Sequence, residues 1–426
     1  MNLGPNGSNG TGRSDGGPDG AGGRTAAGDH DVAIAGFGPV GATAALALAR
    51  AGLRVAVLER RHGWSDDPAE SRASTFHPPT LEILDRLGVA GRLHEVGLVS
   101  DTYQYRDRAE GVIAHFDLDS IAGDTPFPYR LQSEQRNLVR IIETELRAMP
   151  NVTLALGTEV TGVRAGDTDD GVELDVDPGG TVRARWVIAA DGAGSAIRRC
   201  LDVAFDGITY PEHFLVVSTT EDFAELIPGI ATVNYISDPV EWLVLLRTPL
   251  HWRALFPIPS GEEAAAAAQE PEEIQRRLQA IAPLPRPYRV AHSRVYRVHQ
   301  RVADRFRVGR VLLAGDAAHI NNPLGGMGMN SGIHDAAAAV EAILAAERGD
   351  PGPLERYEET RRAVAHDYVR VVTHRNWEVL QETDEAERIR QREEMRAIAA
   401  DPARARDHLL RASMLVGTLS PEGRVR

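Results

Sequence analysis

Two hydrophobic periods divide the chain. Residues 31–35 (DVAIA) form a short apolar run that suits a buried strand, and residues 42–52 (ATAALALARAG) carry apolar positions at helical spacing. A second apolar strand at 54–58 ends at Glu59. Residues 135–146 (QRNLVRIIETEL) read as an amphipathic helix, and 152–163, 172–178 and 181–190 as strands. From Phe205 to about Tyr296 the pattern alternates with period two and is rich in aromatic residues, which predicts an antiparallel sheet. A polar helix at 262–282 interrupts it, and residues 100–130 look strand-rich and irregular. Residues 311–314 are one more short apolar strand, and from about Met329 the spacing turns helical. Residues 351–426 are helical and highly charged, whereas 1–29 are Gly-rich with too few apolar groups to offset ordering, which predicts a disordered leader.

Composition narrows the possibilities. A chain of 426 residues can bury a large core and is expected to form two domains. The net charge of −14 gives no general attraction to nucleic acid or to anionic membranes. The one cysteine, Cys200, allows no intrachain disulfide and suits a reducing cytoplasm. All 47 basic residues are arginine, so neither a Walker A lysine nor a lysine Schiff base is available. The most apolar long stretch, 40–58, is cut by Arg50 and Arg54, which argues against a membrane span, and no metal cluster is expected.

Three stretches bear chemistry. Gly36, Gly38 and Gly41 make a GxGxxG turn between a strand and a helix, with Glu59 at the end of the next strand. There a tight turn, an approachable backbone for a pyrophosphate and an acceptor for a ribose diol come together. That motif alone does not separate FAD from NAD. Residues 191–199 (DGAGSAIRR) place a second acid and more glycines after a strand. Residues 309–330 (GRVLLAGDAAHINNPLGGMGMN) set Asp316 just past a strand and a glycine loop at a helix start. Such a helix end offers bare N–H groups and a positive dipole to a group that becomes negative during chemistry. Residues 71–88, which include Arg72, read as a loop running into a helix after Pro78 and Pro79.

Together and in this order, the three motifs resemble those of the single-component flavoprotein aromatic hydroxylases, the para-hydroxybenzoate hydroxylase family of FAD-dependent monooxygenases. The resemblance covers roughly residues 30–350. It implies a mixed α/β fold: a Rossmann-like FAD-binding domain, an inserted antiparallel-sheet substrate domain and C-terminal helices. The expected division is a leader at 1–29, an FAD-binding domain at 30–105, 131–205 and 299–350, a sheet domain at 106–130 and 206–298, and helices at 351–426. Gly36, Gly38, Pro39, Val40, Gly41, Glu59 and Arg60 would hold the ADP part of FAD. Asp191 and Gly192 match the motif that contacts FAD and is implicated in NAD(P)H binding, and Asp316 matches the ribityl-binding aspartate. Gly325, Gly326, Met327, Gly328, Met329 and Asn330 match the loop at the flavin ring, and Pro323 the proline whose carbonyl faces the substrate hydroxyl. Arg72 falls near the FAD phosphates, and Gln135, or alternatively Gln132, at a further FAD contact.

Substrate residues follow by the same resemblance. Tyr235 stands where a tyrosine meets the substrate phenol, with Tyr210 and His213 as further candidates. Leu246 and Thr248 stand where the prototype has a serine and an arginine holding a benzoate carboxylate, and Phe256 where it has another tyrosine. That departure favours an apolar pocket for a larger or uncharged phenolic or heteroaromatic ring. Arg247 would point to the opposite face by strand alternation. The implied chemistry is reduction of bound FAD by NAD(P)H, addition of O2 at flavin C4a to give a hydroperoxide, and transfer of one oxygen atom to the ring. The partners implied are an aromatic small molecule, O2 and NAD(P)H, and the charged tail leaves room for a homodimer. A reductase or dehydrogenase of the same fold would share the FAD motifs without inserting oxygen. A non-catalytic FAD-binding protein would hold flavin without substrate-dependent turnover.

Overall fold

The strand His30–Ala35 lies at the centre of the first sheet, and almost every side chain in it is buried. The computed structural model describes residues 30–63, 73–165 and 171–416; the expected leader and Arg72 lie outside them. In this sheet the order is Arg307–Val308, Val311–Leu313, Gly180–Ala189, His30–Ala35, Val55–Glu59, Val152–Leu156. The pairs from Val311–Leu313 to Val152–Leu156 are all parallel, in registers such as Val32 with Trp186 and Val55 with Val152. Both faces are covered, so these strands read as continuous apolar runs rather than alternating ones. The helices Pro39–Arg50 and Met327–Glu347 pack side by side, and Gln135–Arg147 packs on the first of them.

The second sheet has the order His319–Ile320, Val290–Ala303, Phe205–Thr219, Trp252–Pro259, Leu243–Arg247, Val233–Ser237, Thr102–Asp107, Gly111–Asp117. It is antiparallel except where Val233–Ser237 runs parallel to Thr102–Asp107. One face holds Tyr103, Phe116, Tyr210, Tyr235 and Trp242, with Leu380, Leu409 and Leu415 from the tail packed onto it. The other face holds Leu215, Leu245 and Phe256, covered by Pro271–Ile281. Thr102–Asp107 and Val290–Ala303 straddle the expected limits at 105 and 298. We propose that the domain division follows these strand ends, so that the chain first enters the second sheet at Thr102.

Some elements differ from the reading of the sequence. The polar helix expected at 262–282 is two helices, Glu262–Ala268 and Pro271–Ile281, because Pro271 starts a new one. The flavin-loop helix begins at Met327, two residues early, after Gly326 in the left-handed conformation (φ +67°), which a glycine adopts without steric cost. In the tail a π-helical turn, Val364–Val369, joins Gly352–Ala363 to Arg370–Gln381. Its Val364 and Val369 pack with Met414 against Met327. Among the described residues no helix is long and apolar enough to cross a membrane.

Candidate functional site

The first glycine turn closes under steric necessity. Gly36 has φ +93°, and a Cβ there would lie 2.3 Å from the Ala190 carbonyl oxygen. A Cβ on Gly41 would lie 2.0 Å from the Gly36 carbonyl oxygen, so the helix could not start so close to the strand. Gly38 is different: nothing lies within 4 Å of its Cβ position, and its backbone faces an open cleft. The Glu59 carboxylate ties this turn down, accepting from Phe37 N at 2.7 Å and from Arg61 N at 3.0 Å.

The cleft has room of about 340 Å³. Gly36, Gly38, Pro39, Val40, Glu59 and Arg60 line one end of it, Gln135 and Met329 also border it, and Asp191, Gly192 and Asp316 complete it. Gln132 does not border it; that side chain is buried and accepts from Thr75 Oγ1 at 2.9 Å. Asp191 Oδ2 caps a short helix by accepting from Ala196 N at 2.8 Å and Ile197 N at 3.3 Å. Its Oδ1 is buried with no partner. Burial raises the Asp191 pKa, against the N–H groups and Ser195 that favour the charged form. A buried acceptor without a partner, an open glycine backbone and Arg60 and Arg199 at the rim fit a dinucleotide with hydroxyls and phosphates to be bound.

The second glycine loop sits between this cleft and the aromatic face of the second sheet. Met329 borders the cleft, while Leu324 packs among Tyr103, Tyr210 and Tyr235. Pro323 is exposed, and its carbonyl accepts from Gly326 N at 3.0 Å. Gly325 packs beside Asn376, Gly326 beside Thr75 and Gly328 beside Asn321. Two side chains of the loop are engaged within the protein. Met327 is buried against the π-helical turn. Asn330 is a clamp: Oδ1 accepts from His77 N at 2.9 Å, and Nδ2 donates to Thr75 O at 2.8 Å and Gly326 O at 2.7 Å. His77 Nε2 donates to the Gly325 carbonyl at 2.8 Å. Burial, with Arg130 and His334 nearby, lowers its pKa to about 3, so the ring is neutral.

Behind Asp316 lies a network that sequence reasoning missed. Asp335 is fully buried; Oδ2 accepts from Gly315 N at 3.0 Å and His319 Nε2 at 2.7 Å, and Oδ1 from Arg361 Nε at 2.6 Å. The sequence signal was an acid inside an otherwise apolar helical stretch.

On the aromatic face of the second sheet Tyr235 is buried, its ring stacked on Tyr105 at 5.2 Å and edge-on to Tyr103 at 6.3 Å. Leu246 joins the same cluster. Thr248 and Phe256 do not, which corrects the expectation. Thr248 is in the turn after Leu243–Arg247, and its Oγ1 donates to His251 O at 3.1 Å. Phe256 points to the opposite face, with the Arg277 guanidinium 5.5 Å from its ring, because pairing with Leu215 fixes it on that side. Arg247 lies over Trp252 and pairs with Asp222, away from the Tyr235 face as alternation requires. Tyr210 Oη donates to Gln300 Oε1 at 2.7 Å and meets His374 Nδ1 at 2.9 Å; burial pushes its pKa up to about 12. His213 is buried with Nδ1 unpartnered. Arg130, Tyr103, Tyr105, Phe116 and His408, which surround Tyr235, carried no motif in the sequence.

Comparison with known proteins follows this geometry. A family described as an FAD binding domain matches residues 29–372. A para-nitrophenol 4-monooxygenase from a Pseudomonas species is 36% identical over 398 residues, 91% of this chain and 96% of that one. A 6-hydroxy-3-succinoylpyridine 3-monooxygenase from Pseudomonas putida is 36% identical over 316 residues, 73% of this chain and 78% of the relative. The crystal structure of a p-nitrophenol 4-monooxygenase from Pseudomonas putida superposes with a TM-score of 0.82 at 33% identity, covering 89% of this chain and 96% of that one.

Proposed function

Because the chain belongs to the FAD-binding monooxygenases and is an FAD-dependent aromatic hydroxylase, we propose a role for each part of the site. The ADP half of FAD lies on Gly36, Gly38, Pro39, Val40 and Gly41, with Glu59 and Gln135 beside it and Arg60 at the phosphates. Asp191 and Gly192 meet the cofactor midway, and Asp316 meets the ribityl chain. The flavin ring rests on the backbone of Gly325, Gly326, Met327, Gly328, Met329 and Asn330. Bound FAD, reduced by NAD(P)H, would activate O2 so that one of its atoms can enter the ring.

The protein's own contribution is placement and field. The helix Met327–Glu347 presents its positive end where charge develops on the flavin edge. The aromatic face of the second sheet excludes water and positions a phenolic or heteroaromatic ring, with Tyr235 and Leu246 in contact with it. The observation that supports this reading best is the loop itself, which has the cleft on the Met329 side and the aromatic cluster on the Leu324 side. The substrate is a phenol or hydroxypyridine of the size handled by the relatives, the setting is cytoplasmic, and the assembly is a homodimer, which light scattering on the purified chain tests. The reading predicts that 4-nitrophenol or a hydroxypyridine accelerates NADH or NADPH oxidation and acquires one oxygen atom on the ring, with nitrite released if the oxygen enters at the nitro-bearing carbon. NAD(P)H oxidation with no oxygenated product from any such ring would overturn it.

A further inference from the structure

The aromatic box beside the flavin loop holds a charge that the chain does not neutralise. Arg130 is 3% exposed. Its guanidinium lies 4.5 Å from the centre of the Tyr103 ring, and one nitrogen donates to the Ala412 carbonyl at 3.3 Å. Its Nε has no partner, and among the described residues no carboxylate comes within ion-pair distance of it. Three other buried arginines behave differently: Arg253 pairs with Glu134, Arg361 with Asp335 and Arg388 with Asp107. A buried cation without a counter-charge is costly unless an anion arrives to meet it.

The surroundings of Arg130 have the chemistry for such an anion. Tyr103 stacks on Phe116 at 5.1 Å, Phe116 on His408 at 4.5 Å and Tyr105 on Tyr235 at 5.2 Å, so flat apolar walls converge. Tyr103 Oη and His408 Nε2 are buried and, like Arg130 Nε, have no partner. Burial and the nearby Arg130 and Arg375 lower the His408 pKa to about 4, leaving a neutral ring. Gln132, two residues along the strand from Arg130 and on the same face, accepts from Thr75, which packs against Gly326 of the flavin loop.

We propose that Arg130, with Tyr103 and His408, binds an aromatic oxyanion, the ring lying against the tyrosines and the negative oxygen on the guanidinium. The enzyme thereby selects its substrate in ionised form, through an arginine on a different element from the strand where the prototype's carboxylate-binding residues would lie. This rests on the box being the substrate side of the flavin loop.

The test is equilibrium binding to the FAD-loaded protein, wild type against Arg130→Met, Arg130→Gln and Arg130→Lys. The probes are 4-nitrophenol at a pH where it is ionised, 4-nitrobenzoate, and neutral nitrobenzene. Wild type is expected to bind at least one oxyanion about tenfold or more tightly than nitrobenzene, as a charge-assisted bond to a buried arginine allows. The two oxyanion arms tell a phenolate site from a carboxylate site. Arg130→Met is expected to abolish the preference while nitrobenzene affinity stays within about twofold, and Arg130→Lys to keep part of it. Bound 4-nitrophenol is expected to keep its phenolate colour at a pH where the free compound has lost it. Equal affinity of wild type for nitrobenzene and both oxyanions, or an intact preference in Arg130→Met, would overturn the inference. Should Arg130→Met lose FAD, Arg130→Gln decides, because a neutral polar side chain there must also lose the preference. A phenol that accelerates NAD(P)H oxidation without any effect of Arg130 removes this inference alone, whereas no acceleration by any phenol removes the functional reading beneath it.

Discussion

Replacing Asp335 by asparagine removes one charge from a fully buried network and leaves its shape nearly unchanged. Both Asp335 and Arg361 have side chains with no exposed surface. Burial acts to raise the Asp335 pKa, but Arg361 and His319 outweigh it and lower the group to about 2, so the carboxylate is charged throughout the physiological range. The Asp335→Asn substitution would leave Arg361 as an unmatched buried cation, which costs roughly 3–5 kcal/mol. With an unfolding entropy of roughly 2 cal/mol/K per residue, a chain of this length loses about 4–6 °C in Tm for that cost. Because Asp335 also accepts from Gly315 N, next to Asp316, the same substitution should weaken FAD binding. Thermal melts followed by circular dichroism, with and without excess FAD, and titration of the apoprotein with FAD read both effects. Combining Asp335→Asn with Arg361→Met should cost less than the two single changes added together, since the double variant buries no unmatched charge. A single variant within about 1 kcal/mol of wild type, or strict additivity in the double variant, would refute the argument.

Gly41→Val should abolish FAD retention while the second sheet stays folded, because its Cβ would overlap the Gly36 carbonyl oxygen; absorbance of the purified protein at flavin wavelengths checks this, and a fully yellow variant contradicts it. Acid should destabilise the fold before the carboxylates titrate. His77 and His334 are held neutral by burial with pKa values lowered to about 3, whereas unfolded histidines protonate below about 6.5. Their contribution is therefore complete above pH 6.5 and is lost as pH falls toward 3, with a limiting slope of about 1.4 kcal/mol per pH unit for each histidine. Urea unfolding between pH 7 and pH 5 measures it, and a flat stability over that interval would contradict it. His334→Gln should flatten part of the slope.

Much of the architecture could be read along the chain because local pattern and tertiary role agree there. The strands at 31–35, 54–58 and 311–314 are apolar throughout since both faces of the parallel sheet are covered, and Gly36 and Gly41 announce a turn no side chain could fit. What could not be read depends on which distant segments meet. Phe256 is aromatic and at the expected place in the alternating region, but its cross-strand partner Leu215 puts it on the far face. Met327 sits inside the glycine loop yet belongs to the core beneath the π-helical turn, whose existence no periodicity signals. The Asp335–Arg361 pair and the meeting of Arg130 with His408 and Ala412 join the body of the chain to its tail. Each of those residues taken alone looks like an ordinary charge on a strand or helix.

The central claim is that this chain places one atom of O2 on an aromatic ring. Mass analysis of the product formed from a phenol, NADH or NADPH and isotopically heavy dioxygen measures this directly. The expected product carries one labelled oxygen atom on its ring, formed in step with NAD(P)H consumed and only by protein that carries FAD. Recovery of unchanged phenol while NAD(P)H is consumed, or an added oxygen drawn from water, would contradict it.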